Sequence, residues 1–342
     1  MRPSFFHHLH PPTIPAAQAR CRHTLAAGGT AIFLMLILGI TGIMEMFHYV
    51  PNPQEAALSV QTITYHVPFG GFIRSLHYWA AQLLLIVSVI HLLRVVFTAA
   101  YGHPRRFNYL LGLGLFILAI LLDFTGYILR WDVDICYPLL TGTNLLKTIP
   151  LFGDSLFRIA VGGGEACSTG LLRFYVWHIF GLTLPIIILV AWHAFRVRRD
   201  GGIAVPPPHL RVNNERISRN VLVRREVLIM FIVSIVLILM ASFLPAPIAP
   251  AMTGNPSIAA NARAPWFFLW VQEMLKWGDP FIFGVLIPFG ILVLLALIPY
   301  IFPKPADSDI GTWFPKSNRL AQIVVSVIAL IVIALTLMTF IQ

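Results

Sequence analysis

The sequence predicts an all-α membrane protein of about seven transmembrane helices, arranged as a four-helix part followed by a three-helix part. Hydrophobic residues make up 58% of the 342 residues, charged residues make up 11%, and the mean hydropathy is +0.80. These values are far from those of a soluble domain. An open strand edge would leave backbone groups unsatisfied in lipid, so the spans are predicted to be helices of about 20 apolar residues. The apolar stretches are residues 26–49, 75–101, 109–129, 171–195, 227–244, 281–301 and 320–341.

Basic residues fall in alternate connecting segments. They precede the first span and follow the second, fourth and sixth, and the segment after the fourth holds eight arginines between Arg196 and Arg225. The positive-inside rule therefore predicts a cytoplasmic N-terminus and an external C-terminus. The formal net charge of +10 is explained by this topology. No basic domain with interleaved aromatic residues is present, which argues against nucleic-acid binding.

The first span is predicted to be retained in the mature protein. About 25 residues with several proline turns precede it, an acidic residue follows it, and no small-residue cleavage site of the signal-peptide type is present.

Two of the apolar stretches each carry a pair of histidines about four helical turns apart. The spacings are 14 residues for His77 and His91 and 15 residues for His178 and His193. At roughly 100° per residue, both histidines of a stretch share one face and lie about 21 Å apart along the axis. A single histidine in an apolar helix is more often a hydrogen-bonded core residue. Four in matched pairs instead predict two bis-histidine sites for b-type haems, one near each membrane surface.

An arginine- and proline-rich segment divides the chain. Residues 201–226 form this predicted cytoplasmic linker, residues 1–200 contain all four paired histidines, and residues 227–342 contain none of them. We therefore expect the haems in the first part.

Glycines repeat the interval of 14 residues in two further spans. They are Gly28 and Gly42 in the first span and Gly112 and Gly126 in the third. Glycine lacks a Cβ and so makes room where a macrocycle edge passes between helices, although small residues also serve ordinary helix packing. Arg74 and Arg94 each lie three residues from a paired histidine and are candidates to bind haem propionates; Arg74 could alternatively anchor its helix at the interface.

Several short motifs accompany the four histidines and Arg74; they are residues 8–11, 28–29, 41–42, 67–70, 126–127, 131–132 and 173–175. In these residues the sequence resembles the cytochrome b family of quinol-oxidising Rieske/cytochrome b complexes, and the resemblance extends over nearly the whole chain. The spacing of 15 and the division into four plus three helices resemble the chloroplast-type cytochrome b and subunit IV, here joined in one chain. The resemblance and the topology imply that His77 pairs with His178 near the outer face and His91 with His193 near the cytoplasmic face.

The resemblance implies a quinol-oxidation site at the outer face, to which residues 227–342 contribute, and the chain departs from the family there. The family's Pro-Glu-Trp-Tyr motif corresponds to residues 264–267, which read Ala-Pro-Trp-Phe and include Pro265 and Trp266. The motif glutamate, a proton acceptor in the family, is absent. Two carboxylates are candidate replacements, Glu273, which we favour slightly, and Asp123. Their alternatives are neutralisation by Lys276 for Glu273 and a structural salt bridge or hydrogen bond for Asp123.

The resemblance also implies a quinone-reduction site at the cytoplasmic face. Arg198 occupies a position that is basic in relatives, and Glu226 opens the fifth helix where relatives place an acidic proton donor. Chloroplast-type relatives attach a further haem to a cysteine at the position of Ala26. Because Cys21 lies more than a helical turn away, no covalent haem is predicted.

Only three cysteines are present. Cys136 and Cys167 fall in one external loop, where a disulfide is possible. With so few cysteines, the chain lacks the usual ligand set of an iron–sulfur cluster. We therefore expect a partner subunit, a Rieske iron–sulfur protein or a c-type cytochrome, to receive electrons outside.

The resulting hypothesis is a cytochrome b subunit of a quinol:cytochrome c oxidoreductase-type translocase. It would use two non-covalent b haems and quinol and quinone as substrates, in a bacterial cytoplasmic membrane and within a dimeric complex. Two alternatives remain open. The first is a non-bifurcating dihaem subunit that exchanges electrons between the quinone pool and an external multihaem cytochrome c, and the missing glutamate favours it. The second is a transporter or structural bundle with incidental histidines.

Overall fold

The computed structural model describes residues 10–164, 166–211, 214–251 and 263–341. It contains seven helices that are long and apolar enough to cross a membrane, which confirms the predicted fold class. Because the described residues begin at residue 10, the motif at residues 8–11 lies partly outside them. In order, these first to seventh membrane helices are Ala27–Met46, Gly70–Phe97, Arg106–Ile128, Leu171–Arg199, Arg219–Phe243, Ile282–Ile301 and Lys316–Ile341.

Several membrane helices are longer than the apolar stretches that predicted them. The second begins at Gly70 rather than near residue 75, and the fifth begins at Arg219, eight residues before its apolar stretch. Arginine side chains can keep their charged ends in the interface while the backbone continues as helix. Hydropathy alone therefore predicts such helices to be too short.

Shorter elements lie between and beside the membrane helices. Two strands, Thr13–Pro15 and Arg216–Ser218, pair in antiparallel register. Short α-helices are Cys21–Thr24, Ala56–Tyr65, Cys136–Lys147, Gly153–Val161, Ala166–Thr169 and Leu269–Met274. The 3₁₀ turns are Ala16–Ala19, Pro208–Leu210, Trp266–Phe268, Leu275–Trp277, Asp307–Asp309 and Lys316–Asn318.

The second membrane helix lies at the centre of the bundle and contacts the first, third, fifth and seventh. One buried cluster joins the first, second and fifth helices through Leu34, Ala80, Leu84 and Leu237. A second cluster joins the second, third, sixth and seventh helices, and it includes Val96, Leu113, Ile298 and Val325. The three C-terminal helices therefore pack directly against the first four.

The basic segments meet at one end of the bundle, as the alternating topology requires. The amide of Gln18 donates to the carbonyls of Gly201 and Ile203 at 3.1 and 2.7 Å. The backbone N–H groups of Gly311 and Phe314 donate to the carbonyls of Thr98 and Phe97 at 2.7 and 2.9 Å. The N-terminal segment therefore joins the segment after the fourth helix, and the segment after the sixth joins the one after the second.

The opposite end is covered by the loop between the third and fourth membrane helices. Cys136 and Cys167 form a disulfide there, with their Cα atoms 5.9 Å apart. The Asp132 carboxylate is 1% exposed, accepts from Arg130 at 2.6 Å and accepts from the backbone N–H of Ala249 at 3.2 Å. These contacts connect the loop to the segment that follows the fifth membrane helix.

Candidate functional site

The four histidines predicted as ligands come together as two facing pairs. The ring centroids of His77 and His178 are 6.4 Å apart, and those of His91 and His193 are also 6.4 Å apart. Each pair joins the second membrane helix to the fourth. Imidazole nitrogens bind a metal at about 2 Å, so two rings at this separation leave room for one ion between them. The His77–His178 pair lies at the end of the bundle away from the basic segments.

A π-helical turn explains how unequal spacings give equal pairs. The fourth membrane helix contains a π turn at Trp177–Gly181, in which the N–H of Leu182 donates to the carbonyl of Trp177 at 2.8 Å. A π turn accommodates one extra residue without displacing the helix beyond it. The Thr183 hydroxyl donates to the carbonyl of His178, which satisfies a backbone group inside the irregular turn. The interval of 15 therefore acts as an interval of 14.

Each predicted glycine lies against one of the four imidazoles. A Cβ placed on Gly28, Gly42, Gly112 or Gly126 would lie 3.4, 3.1, 3.2 or 2.7 Å from Cε1 of His91, His77, His193 or His178, respectively. Gly39 and Gly114, in the same two helices, have no heavy atom within 4 Å of that position. The glycines of the 14-residue repeat thus allow the first and third helices to approach the histidine rings.

Replacing Gly126 with alanine is expected to disturb the His77–His178 pair selectively. The new Cβ would lie 2.7 Å from Cε1 of His178, so either the ring or the helix must move. We expect a changed low-temperature absorption band for one b haem and a lower haem content per chain. Gly114→Ala is the matched control, because the same change on the same helix meets open space. Equal spectra of Gly126→Ala and wild type would contradict the proposed contact.

Hydrogen bonds orient three of the four rings. Nδ1 of His77 bonds the Thr41 hydroxyl at 2.8 Å, and Nδ1 of His193 lies 3.1 Å from the carbonyl of Asn108. Nδ1 of His178 lies 3.1 Å from both the Thr125 hydroxyl and the carbonyl of Leu122. Such bonds to one ring nitrogen fix the tautomer and leave Nε2 for a metal. Nδ1 of His91 is buried and has no hydrogen-bond partner in the described part of the chain.

The two arginines beside the histidines have different surroundings. Arg74, 7% exposed, donates to the carbonyls of Ala246 and Pro247 at 2.6 and 3.1 Å, and its Nε has no partner among the described residues. Glu45 interacts electrostatically with Arg74. Arg74 therefore anchors the segment after the fifth helix and keeps one donor free for an anion.

Arg94 contacts the N-terminal segment at the other end of the bundle. Its Nε donates to the carbonyl of His23 at 3.1 Å, and its guanidinium lies 3.0 Å from Nε2 of His23. Burial and the Arg94 guanidinium lower the pKa of His23, so this imidazole is neutral around pH 7. The neutral His23 ring therefore adds no positive charge beside Arg94.

A cavity of about 1090 Å³ opens beside the His91–His193 pair. Its lining includes four arginines, Arg94, Arg105, Arg198 and Arg219, and one carboxylate, Glu226. Arg198 and Glu226 interact electrostatically, and Glu226 approaches Gly29 of the first membrane helix. The volume and the excess of cationic groups suit a large planar group with acidic substituents and a neighbouring small molecule. Arg105 was not predicted from the sequence, because a loop arginine there is already explained by topology.

Asp123 belongs to a hydrogen-bonded chain at the opposite end of the bundle. The Gln82 amide nitrogen lies 3.1 and 3.3 Å from the two Asp123 carboxylate oxygens, and the Trp266 indole donates to the Gln82 carbonyl at 2.6 Å. Asp123 directly follows Leu122, whose carbonyl contacts the His178 ring. These hydrogen bonds therefore connect the Ala-Pro-Trp-Phe motif to the His77–His178 pair. Gln82 was not predicted, although an amide within an apolar helix was a visible signal.

Glu273 has a different environment. It is 1% exposed, lies in the helix Leu269–Met274, and forms an ion pair with Lys276 at 2.7 Å. This is the neutralising contact that the sequence offered as the alternative to a catalytic role. Pro265 is buried and precedes the 3₁₀ turn Trp266–Phe268.

Comparison with known proteins identifies the family. A model described as Cytochrome b/b6/petB matches residues 16–201, more than half of the chain and the whole region between the N-terminal strand and the linker. The chain belongs to the cytochrome b family. Membership implies that it binds haem b, in agreement with the paired imidazoles.

This cytochrome b is similar to cytochrome b6 proteins and to cytochrome b subunits of menaquinol:cytochrome c reductases. Cytochrome b6 of Heliomicrobium gestii is 36% identical over 183 residues, which cover 52% of this chain and 86% of the relative. The menaquinol:cytochrome c reductase cytochrome b subunit of Geobacillus thermodenitrificans is 33% identical over 175 residues, covering 51% of this chain and 78% of the relative. A chain of a hyperthermophilic respiratory complex III shares the fold at a TM-score of 0.70 and 20% identity, covering 93% of this chain and 92% of that one.

Proposed function

We propose that this cytochrome b is the membrane subunit of a quinol-oxidising complex, in which two non-covalent b haems connect a quinol-oxidation site outside to a quinone-reduction site inside. The observation that carries the proposal is the pair of equivalent sites. Two facing imidazole pairs lie on the same two helices, each at the same ring separation and each with glycines against both rings.

In this proposal, particular residues of the chain bind the two haems. His77 and His178 hold the outer haem iron, and His91 and His193 hold the inner one. Haem b, when bound in this way, supplies reversible one-electron oxidation and reduction. Gly28, Gly42, Gly112 and Gly126 keep both spaces open, and Arg74 and Arg94 are the propionate-binding candidates on the outer and inner sides.

The two quinone sites use different charged groups. Inside, Arg198 and Glu226 line the cavity, where the carboxyl group can deliver a proton to reduced quinone and the guanidinium can bind its oxygen. Outside, Pro265 and Trp266 border the quinol, and Asp123 and Glu273 are the candidate proton acceptors. Asp123 is the favoured acceptor, because Gln82 connects it to the motif by hydrogen bonds. Glu273 is less suited, because it is buried and paired with Lys276.

An external acceptor must come from another subunit. Two of the three cysteines form a disulfide, which leaves too few for an iron–sulfur cluster. The similarity to menaquinol:cytochrome c reductase supports a Rieske protein or a c-type cytochrome as partner, and a dimeric complex is part of the same proposal. We place the chain in a bacterial cytoplasmic membrane with its N-terminus inside, since the basic segments meet at one end.

The deciding experiment is a pulse of high-potential oxidant given to membranes supplied with quinol, with the inner quinone site blocked by an inhibitor. If quinol oxidation divides its two electrons between an outer acceptor and haem b, the oxidant makes haem b more reduced. We expect this result. Haem b that becomes only more oxidised, with inhibitor occupancy confirmed, would support the non-bifurcating alternative, which the absent motif glutamate favours.

A further inference from the structure

We propose that Trp266, Gln82 and Asp123 act as one unit at the quinol-oxidation site: Trp266 fixes the Gln82 amide, and Gln82 positions the Asp123 carboxylate to accept a quinol proton. This inference rests on the proposed function, because it requires a quinol at the His77–His178 end of the bundle. Gln82 is a positioning residue, and Asp123 is the group that meets the substrate.

The hydrogen bonds of the chain have a single consistent direction. An indole N–H can only donate, so the Gln82 atom 2.6 Å from Trp266 Nε1 must be the carbonyl oxygen. The amide nitrogen then faces Asp123, at 3.1 and 3.3 Å from its two oxygens. An ionised carboxylate only accepts hydrogen bonds, so this orientation stabilises the form of Asp123 that can act as a base. Without the Trp266 donor, the amide could turn and present oxygen to oxygen.

The three hydrogen-bonded side chains are buried to different extents, as expected of a site that a quinol reaches from one side. Gln82 is 8% exposed and lies between its two partners, whereas Trp266 is 42% exposed and Asp123 is partly exposed. In the described part of the chain, Gln82 is the one side chain that hydrogen-bonds to Asp123. The remaining lone pairs of the carboxylate are thus available to a hydroxyl group that approaches beside the indole.

Packing holds the Trp266 end in place. Phe267 packs against the buried cluster of Leu85, Ala119 and Ile186, and the ring of Phe268 meets the ring of Phe124 at a centroid distance of 5.6 Å. Phe124 directly follows Asp123, so the aromatic motif is attached to the helix that carries the carboxylate. An ionisable group at membrane depth is costly and is kept where it has a partner and a role.

The proposed step is a proton transfer. The O–H bond of the quinol breaks, a new O–H bond forms on Asp123, and the quinol is left with an additional negative charge. Its two electrons leave to the one-electron acceptors of the proposed function, the external acceptor and haem b. The proton of its second hydroxyl group leaves to water outside, so that the quinol becomes the quinone. The carboxylate then releases the proton to water outside.

A double-mutant cycle tests the coupling between Trp266 and Gln82. Trp266→Phe, Gln82→Leu and the double variant are compared for quinol-dependent reduction of a high-potential acceptor by the whole complex in membranes. Each single change is expected to lower kcat roughly tenfold or more, because each removes or misdirects the hydrogen bond from Gln82 to the charged Asp123 carboxylate. Gln82→Leu should leave KM nearly unchanged. The solvent deuterium isotope effect on kcat should rise, because proton transfer becomes slower. The double variant should be no slower than the slower single variant, since both changes break the same chain.

Trp270→Phe is the matched control. It removes the same donor one helical turn along, where the indole donates to the backbone carbonyl of Phe267 at 3.0 Å. The haem b spectrum verifies assembly of every variant. Gln82→Asn, which keeps the amide but is too short to reach both partners, replaces Gln82→Leu if that variant does not assemble, with the same expected loss.

Three results would overturn the inference: an unchanged kcat in Trp266→Phe, losses that multiply in the double variant, or an equal loss in Trp270→Phe. Failure of the proposed function looks different. Wild-type membranes in which quinol does not reduce haem b would contradict that function itself, whereas an active wild type with multiplying losses contradicts only the coupled chain.

Discussion

With two haems bound as proposed, replacing His77 with leucine is expected to lower the haem b content from two per chain to one. The facing His178 would keep its place but lose the second imidazole, and a low-spin b haem needs both. The pair formed by His91 and His193 lies about 21 Å away along the helices and shares no ligand with it. The measurement is haem per chain together with a redox titration, in which one of two steps should disappear.

His91→Leu is the complementary variant and should remove the other step. His66→Leu is the control, because His66 is exposed in the segment before the second membrane helix. Retention of two haems by His77→Leu, or the same step missing from both ligand variants, would contradict the assignment of two separate pairs.

Replacing Asp123 with asparagine is expected to lower the rate of quinol oxidation by about 10² or more, the contribution typical of a positioned general base. Asparagine has nearly the same size, and its carbonyl can still accept from the Gln82 amide, so the loss would reflect the missing proton acceptor. Stopped-flow reduction of haem b by quinol measures the rate, and the haem spectra should be unchanged.

Asp134→Asn supplies the matched control for this variant. Its carboxylate is 56% exposed in the loop between the third and fourth membrane helices, where it makes an ion pair with Arg130. If Asp123→Asn keeps the wild-type rate while Glu273→Gln loses it, the role of base passes to Glu273 despite its ion pair with Lys276.

The site residues that could be predicted from the sequence are those repeated at a fixed interval. The histidines and glycines occur at helical intervals, so their shared faces follow from the geometry of a helix. The structure brings the eight residues together as two separate groups of four, in which each glycine lies against one histidine. The seven spans were likewise predictable from hydropathy, apart from helix ends that continue through arginines.

Contacts between distant segments were not readable in the same way. Gln82 and Trp266 are separated by 184 residues, and no periodic pattern relates them. The Arg74 side chain donates to carbonyls 172 and 173 residues away, so its anchoring role depends on tertiary structure. A single sequence could show that these residues were unusual in an apolar helix, but not which partner each would meet.

Because of the π turn at Trp177–Gly181, the number of residues between two positions of this helix does not give their relative orientation. Ligand intervals of 14 and 15 give the same ring separation of 6.4 Å, since the additional residue is taken up locally around His178. Deleting one residue inside that turn would convert it to a regular α-helical turn and leave His193 still facing His91. Tolerance to a one-residue deletion should therefore be concentrated at this turn, and a regular stretch such as residues 183–193 should have none.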